Sequence, residues 1–235
     1  YDRPLFPAQL NMGHPLAKGL VGCWVLNDSG GMAALDSSPY RNNLTFVGYP
    51  TPLKRYHDGI PFDGTNGYLY KAVSNFRAAD TIGHFLVWIK TTTNGNYLFS
   101  SSDTAVATNT FNADVVNGYV RIICLSNLNV IAATTTDIRD GLWHLCEVWS
   151  TGSAYGLAVD LVTQTKSITQ GADDGKWLAQ LPTQRDNIAI NALIRTTTTI
   201  GTASTIAGVW YYGGRILTLA ERMSFYTNPY QMFLR

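Results

Sequence analysis

From Gly19 onward, apolar and aromatic residues come in short runs, many alternating with polar ones, separated by clusters of Gly, Asn, Asp and Ser. The runs are GLVGCWVL, NLTFVG, IPFDG, YLYKAV, HFLVWIKT, NYLFSS, YVRIICLS, VIAATT, LWHLCEVWS, YGLAVDLV, KSITQ, NIAIN and TIAGVWYYGGRIL. They are rich in Val, Ile, Thr, Tyr, Phe and Trp, which suit a pleated, half-buried surface, and the turn residues between them are those of a sandwich or barrel. So many strands would curl a single open sheet, which favours two packed sheets.

Two segments break the rhythm. Residues 1–18 hold Pro4, Pro7 and Pro15 and show no clean period; proline fixes its own φ and cannot donate to a ladder, so the segment reads as an extended N-terminal arm in front of a domain spanning 19–235. At the other end, Thr218 and Glu221 have the spacing of a capping box, and Leu219, Arg222 and Met223 continue a short helix that Pro229 stops. That assignment gives Glu221 a structural task.

The stretch DGLWHLCEVWSTGS, from Asp140 to Ser153, concentrates an acid, an imidazole and two indoles. Alternation divides it into a face of His144, Cys146 and Val148 and a face of Leu145, Glu147 and Trp149.

Composition narrows the functions. Charged residues make up only 14% of the chain, against roughly 25% in an average soluble protein, and the net charge is +1 with no run of Lys or Arg. A phosphate backbone would find no basic track here, so no nucleic-acid partner is expected. No apolar stretch approaches the roughly 20 residues that span a bilayer, and none resembles a signal peptide, so no membrane partner is expected. Cys23, Cys124 and Cys146 all lie in apolar runs without a short C-x-x-C spacing, which favours three buried thiols over zinc ligands; one bridge between two of them stays open.

The succession GLVGCWVLND, LDSSPYRNNLTF, PFDGTNGYLY, HFLVWIKT, DGLWHLCEVWSTGS and ILTLAERMSFY, spread over Gly19 to Tyr226, resembles the laminin G-like modules of the concanavalin A-like lectin/glucanase superfamily. The resemblance implies an all-β fold, a jelly-roll sandwich of two antiparallel sheets, with a late strand from Gly208 to Leu217 lying beside the first. It also implies that the face of His144, Cys146 and Val148 turns toward the core, so that Glu147 reads as an outward-pointing side chain and His144 as a core residue with its polar atoms satisfied. The ends HPLAKGLVG and YTNPYQMF are also similar to laminin G-like proteins encoded among tailed-phage structural genes. The resemblance raises a calcium site, but Asp36, Asp63 and Asp160 stand singly, Asp160 has lost the turn glycine of the family's Tyr-Val-Asp-Gly, and calcium takes six to eight clustered oxygens. No cofactor is expected.

The superfamily contains glycoside hydrolases, which flank the scissile bond with two carboxyl groups. The chain has only two glutamates, Glu147 and Glu221, and the Glu-x-Asp-x-x-Glu pattern of the glucanases is absent. No G-x-S-x-G elbow is present either. With six Trp and thirteen Tyr the chain is instead well supplied with rings that pack against sugar faces. The loop ADDGKW, where Asp173 and Asp174 place acceptors near Trp177, is the candidate ligand site. The expected function is a non-catalytic structural or adhesive module, on a phage virion or otherwise extracellular. It would dock through residues 1–18 on other virion proteins as part of an oligomeric assembly. A free carbohydrate-binding lectin is the alternative, and a glycoside hydrolase the third reading.

Overall fold

In the computed structural model, residues 4, 9–27, 31–49, 58–124 and 129–234 are described. In chain order the strands are β1 (Leu20–Trp24), β2 (Ala33–Ala34), β3 (Leu44–Val47), β4 (Ile60–Phe62), β5 (Tyr68–Ala72) and β6 (Gly83–Thr91). There follow β7 (Asn96–Ser102), β8 (Thr110–Val116), β9 (Tyr119–Cys124), β10 (Asn129–Ala133), β11 (Trp143–Ser150) and β12 (Tyr155–Val159). The last are β13 (Val162–Thr163), β14 (Lys166–Gln170), β15 (Asn187–Ile190), β16 (Ala192–Ile194), β17 (Thr198–Ile200) and β18 (Ser204–Gly213), then the helix α1 (Leu219–Thr227).

The strands form two antiparallel sheets and a hairpin. One sheet runs β1-β18-β6-β11-β12-β13, with β4 also paired to β18; the other runs β14-β10-β9-β8-β7-β15-β5-β3-β2; β16 and β17 pair with each other. The fold is thus the expected antiparallel β-sandwich, and β18 does return beside β1, with Trp24 opposite Val209. The strand ends at Gly213 rather than continuing to Leu217, because Gly214 turns the chain at φ +71°.

Between the sheets lies a core in which Trp24, Phe85, Phe99, Phe111, Trp177 and Tyr211 are all but fully buried. Phe85 stacks on Tyr211 at 4.1 Å, and Phe111 meets Trp177 edge-on at 4.8 Å. Cys124 and Cys146 belong to this core, Cys23 to a second cluster, and all three are free thiols. Burial pushes the Cys124 thiol up to about 11.

The second cluster lies on the outer face of the seven-stranded sheet. There Leu86, Leu145, Trp210 and Tyr212 are covered by Leu10, Leu16, Phe225, Met232 and Phe233. The helix begins as the sequence indicates: Thr218 Oγ1 accepts from the Glu221 N–H at 3.3 Å, and Glu221 Oε2 accepts from the Thr218 N–H at 2.8 Å. Its inward side chains, however, are Arg222 and Phe225, whereas Leu219 and Met223 point to solvent.

The same covering layer alters the reading of the N-terminal arm. Residues 1–3 and 5–8 lie outside the described residues; from Gln9 the chain folds onto its own domain. The Asn11 N–H donates to Met232 O and the Leu234 N–H to Gln9 O, both at 2.8 Å, and Pro15–Ala17 form a 3-10 turn that buries Leu16. Residues 9–18 are therefore part of the fold rather than a free extension. Among the described residues, no helix is long and apolar enough to cross a membrane.

Candidate functional site

Glu147 is fully buried and not, as expected, outward-facing, because the arm and α1 cover its side of the sheet. Arg222 clamps it bidentately, Nε to Oε2 and Nη2 to Oε1, both at 2.8 Å, while the guanidinium lies 5.0 Å above the Trp149 ring. His84 Nδ1 accepts from the Leu217 N–H, which leaves the proton of a neutral ring on Nε2, 3.2 Å from Glu147 Oε2 but poorly aligned for a hydrogen bond. Burial acts to raise the Glu147 carboxyl, and His84 and Arg222 outweigh it and hold it below its ordinary value. Burial keeps His84 below its own. This carboxylate anchors a helix.

His144 does lie on the core-facing side of β11, at its solvent end, bridging Asp160 (Nδ1 to Oδ2, 2.7 Å) and Asp140 (Nε2 to Oδ1, 3.0 Å). Burial lowers the imidazole's proton affinity, and the two carboxylates more than reverse this, raising it above the usual value. Asp36 is buried and accepts from the Cys23, Ser38 and Asn42 N–H groups. Asp63 caps its own loop through the N–H groups of Thr65, Asn66 and Gly67. Among the described residues no three His, Cys, Asp or Glu side chains gather as a metal site.

The loop expected to bind ligand is a clasp inside the fold. Trp177 is fully buried, its indole N–H donating to Tyr211 Oη at 3.0 Å, so the ring does not reach the surface. Asp173 accepts from the Tyr155 N–H and pairs with Lys166; Asp174 accepts from Asn129 and pairs with Lys176. The sequence shows acceptors beside an aromatic, but whether that ring faces water or core depends on strands far away in the chain.

The densest unused chemistry sits on the outer face of the nine-stranded sheet. In β8, Phe111, Ala113 and Val115 enter the core, which turns Thr110, Asn112 and Asp114 to the opposite side. Asn117 at φ +54° and Gly118 at φ +86° make the two-residue turn to β9, and this register sets Asp114 against Arg121. Arg121 donates to both Asp114 oxygens, at 2.9 and 2.6 Å, and Asn112 Nδ2 donates to Oδ2 at 3.0 Å. Burial nevertheless pushes the Asp114 carboxyl up.

A third layer borders this face. The β16 carbonyls of Ala192 and Ile194 accept from the Ser100 and Ser102 hydroxyls at 2.7 and 2.6 Å, seating the hairpin over β7, and Arg195 Nη1 donates to Ala107 O at 2.8 Å. Between hairpin and β9 stands Tyr97, half-buried. Burial raises its phenol, and Asp114, Arg195, Arg121 and Thr199 all lie near enough to act on it. Asn112 Oδ1, Thr110 Oγ1 and Arg195 Nε, all buried, have no hydrogen-bond partner among the described residues. Buried polar atoms are normally paired, so such a group beside two arginines marks a place where something polar belongs.

The NG turn could have revealed this site: counting back from Asn117-Gly118 pairs residue 114 with residue 121. Asn and Asp are depleted in strands, however, so TFNADVV does not read as one.

A concavity with a volume of about 510 Å³ lies apart from this face, between residues 12–21 and Pro39–Tyr40.

Solved structures share this two-sheet antiparallel sandwich. A Trypanosoma rangeli sialidase in complex with a difluoro-KDN superposes with a TM-score of 0.65 at 15% identity, over 99% of this chain and 37% of the sialidase. The CBM40 of a Ruminococcus gnavus IT-sialidase, bound to α2,3 sialyllactose, superposes with a TM-score of 0.57 at 15% identity, over 71% of this chain and 95% of that one. The chain thus spans little more than a third of the sialidase it matches. These likenesses establish the fold; they do not bear on the laminin G-like module or a phage source. No protein-family profile and no curated protein matches the chain.

Proposed function

We propose that this chain is a non-catalytic carbohydrate-binding module whose ligand seats on the outer face of the nine-stranded sheet. The supporting observation is that Tyr97, Arg121 and Arg195, each partly exposed, stand close to one another on that face beside Asp114. Sugars present hydroxyls that donate and accept, and the partly exposed polar side chains they would meet on this face are Arg121, Arg195 and Tyr97. The Arg121 fork is taken by Asp114, but Arg195 has no carboxylate partner among the described residues and favours a sugar that also bears a carboxylate. Tyr97 supplies a ring against which sugar C–H groups pack. The sialic-acid ligands of the two structural neighbours belong to this class.

Hydrolysis has less support. Glu147 is enclosed and paired with Arg222, so it meets neither solvent nor substrate. A virion module docking through residues 1–18 draws no support from the structural neighbours, and residues 9–18 are engaged with their own domain.

Calorimetric titration with α2,3-sialyllactose and with lactose tests the reading. Saturable binding of the sialylated sugar is expected, weaker by about 10-fold or more in Arg195→Gln, whose side chain holds no buried ion pair. Equal binding of lactose, or an Arg195→Gln titration matching the unmodified chain, would overturn it.

A further inference from the structure

We infer that the cleft between residues 12–21 and Pro39–Tyr40 is a second binding site, distinct from the sheet face, for a saccharide bearing an oxyanion. Its volume of about 510 Å³ is that of an ordinary small-ligand site, and its wall is largely apolar, from Pro15, Leu20, Val21 and Pro39. The polar side chains lining it are His14, Lys18 and Tyr40, and no carboxylate or amide side chain is among them.

Each of the three can donate. His14 Nδ1 accepts from the Leu16 N–H at 3.2 Å, so a neutral ring carries its proton on Nε2. Lys18 is exposed and has no ion-pair partner among the described residues. Nearby acids among the described residues are engaged elsewhere: Asp80 is bonded through both oxygens to Arg77, Glu221 is bonded to Arg215, and Asp36 is buried and accepts from the Cys23, Ser38 and Asn42 N–H groups. Donors and unpaired positive charge with no carboxylate on the wall select an acceptor-rich anion.

The ring that completes the site is braced. Tyr40 is 53% exposed, and the Arg77 guanidinium stacks 5.0 Å from its centroid, covering one face and leaving the other for a ligand. The backbone beside it is strained: Arg41 and Arg77 both sit at φ +52°, a left-handed conformation that costs a non-glycine residue of order 1 kcal/mol and that gathers at ligand sites. An apolar wall, an open ring face and one-sided donors together fit a pyranose carrying a carboxylate or a sulfate.

Amide chemical-shift titration of the full ¹⁵N-labelled chain tests this, with tetragalacturonate, its fully methyl-esterified form, and a sulfated disaccharide of the heparin type. The acidic tetramer or the sulfated sugar is expected to shift Gly13, Lys18, Gly19 and Tyr40, their relative effect telling carboxylate from sulfate, while the ester leaves these amides still. Lys18→Gln and Tyr40→Ala, both at exposed side chains, should each weaken binding by 5-fold or more. Unmoved cleft amides with both anions at millimolar concentration would overturn the inference, as would equal shifts with the ester. Repeating the titration in Arg195→Gln separates the sites: cleft shifts persist there even if the sheet face binds nothing.

Discussion

Replacing Arg222 by Ala should be among the most damaging single changes on the outer side of the seven-stranded sheet. The guanidinium is nearly buried and makes two 2.8 Å bonds to a carboxylate with no exposure at all. Removing it strands Glu147 with only a misaligned His84, and breaking a buried pair from one side costs about 3–5 kcal/mol. At about 2–4 °C per kcal/mol for a chain of this size, the midpoint of thermal unfolding should fall by roughly 6–20 °C. Glu147→Leu with Arg222→Leu, which removes both charges, should cost much less, because no charge is left unpaired. The pH dependence follows from the sign of each shift. Glu147 is held low in the fold, so its contribution is present above its unfolded value and is lost as pH falls through the folded one. His84 is likewise held low, and its buried neutral form is destabilised as pH falls below its unfolded value. Acidification below about pH 6.5 should therefore unfold the parent chain progressively, most steeply toward pH 4. Differential scanning calorimetry of the two variants and the parent at pH 4, 5.5 and 7 measures all of this. A loss below about 1 kcal/mol in Arg222→Ala, or a double variant as damaged as the single one, would refute the reasoning.

Further outcomes follow from the same structure. Trp177→Ala should cost about 3–5 kcal/mol in denaturant unfolding, because it empties a core site between Phe85 and Phe111; a change within 1 kcal/mol would mean the ring is not buried. His144 gains proton affinity from Asp160 and Asp140, so its stabilisation is complete below its unfolded value and disappears as pH rises through the folded one. His144→Gln should accordingly flatten the stability profile above about pH 6.5, the unfolded value, and an unchanged slope would argue against the paired imidazolium. Gly118→Ala forces a side chain onto φ +86°, with its Cβ 2.1 Å from Asp137 Oδ1, and should destabilise by more than about 1 kcal/mol in the same denaturant assay.

Much of the sandwich is legible because strands such as HFLVWIKT and GLVGCWVL carry β-branched and aromatic residues whichever partner they meet. The helix start is equally local, since Thr218 and Glu221 satisfy each other's backbone within one turn. β8 escapes because its outward residues are the polar Asn112 and Asp114, and β16–β17 because a hairpin laid on the outside of a sheet has no periodic core face. The proposed sheet-face site is built from those unread elements.

Alternation along β11 by itself separates Glu147 from Cys146, and the Asn117-Gly118 turn by itself fixes Asp114 opposite Arg121, since both depend on residues a few positions apart. Whether a face meets water is decided by segments distant in sequence. The arm and α1 close over Glu147, the core of both sheets takes in Trp177, and β16 settles on Ser100 and Ser102. Parity is a property of one strand, and burial is a property of what packs against it; only the tertiary structure supplies the second.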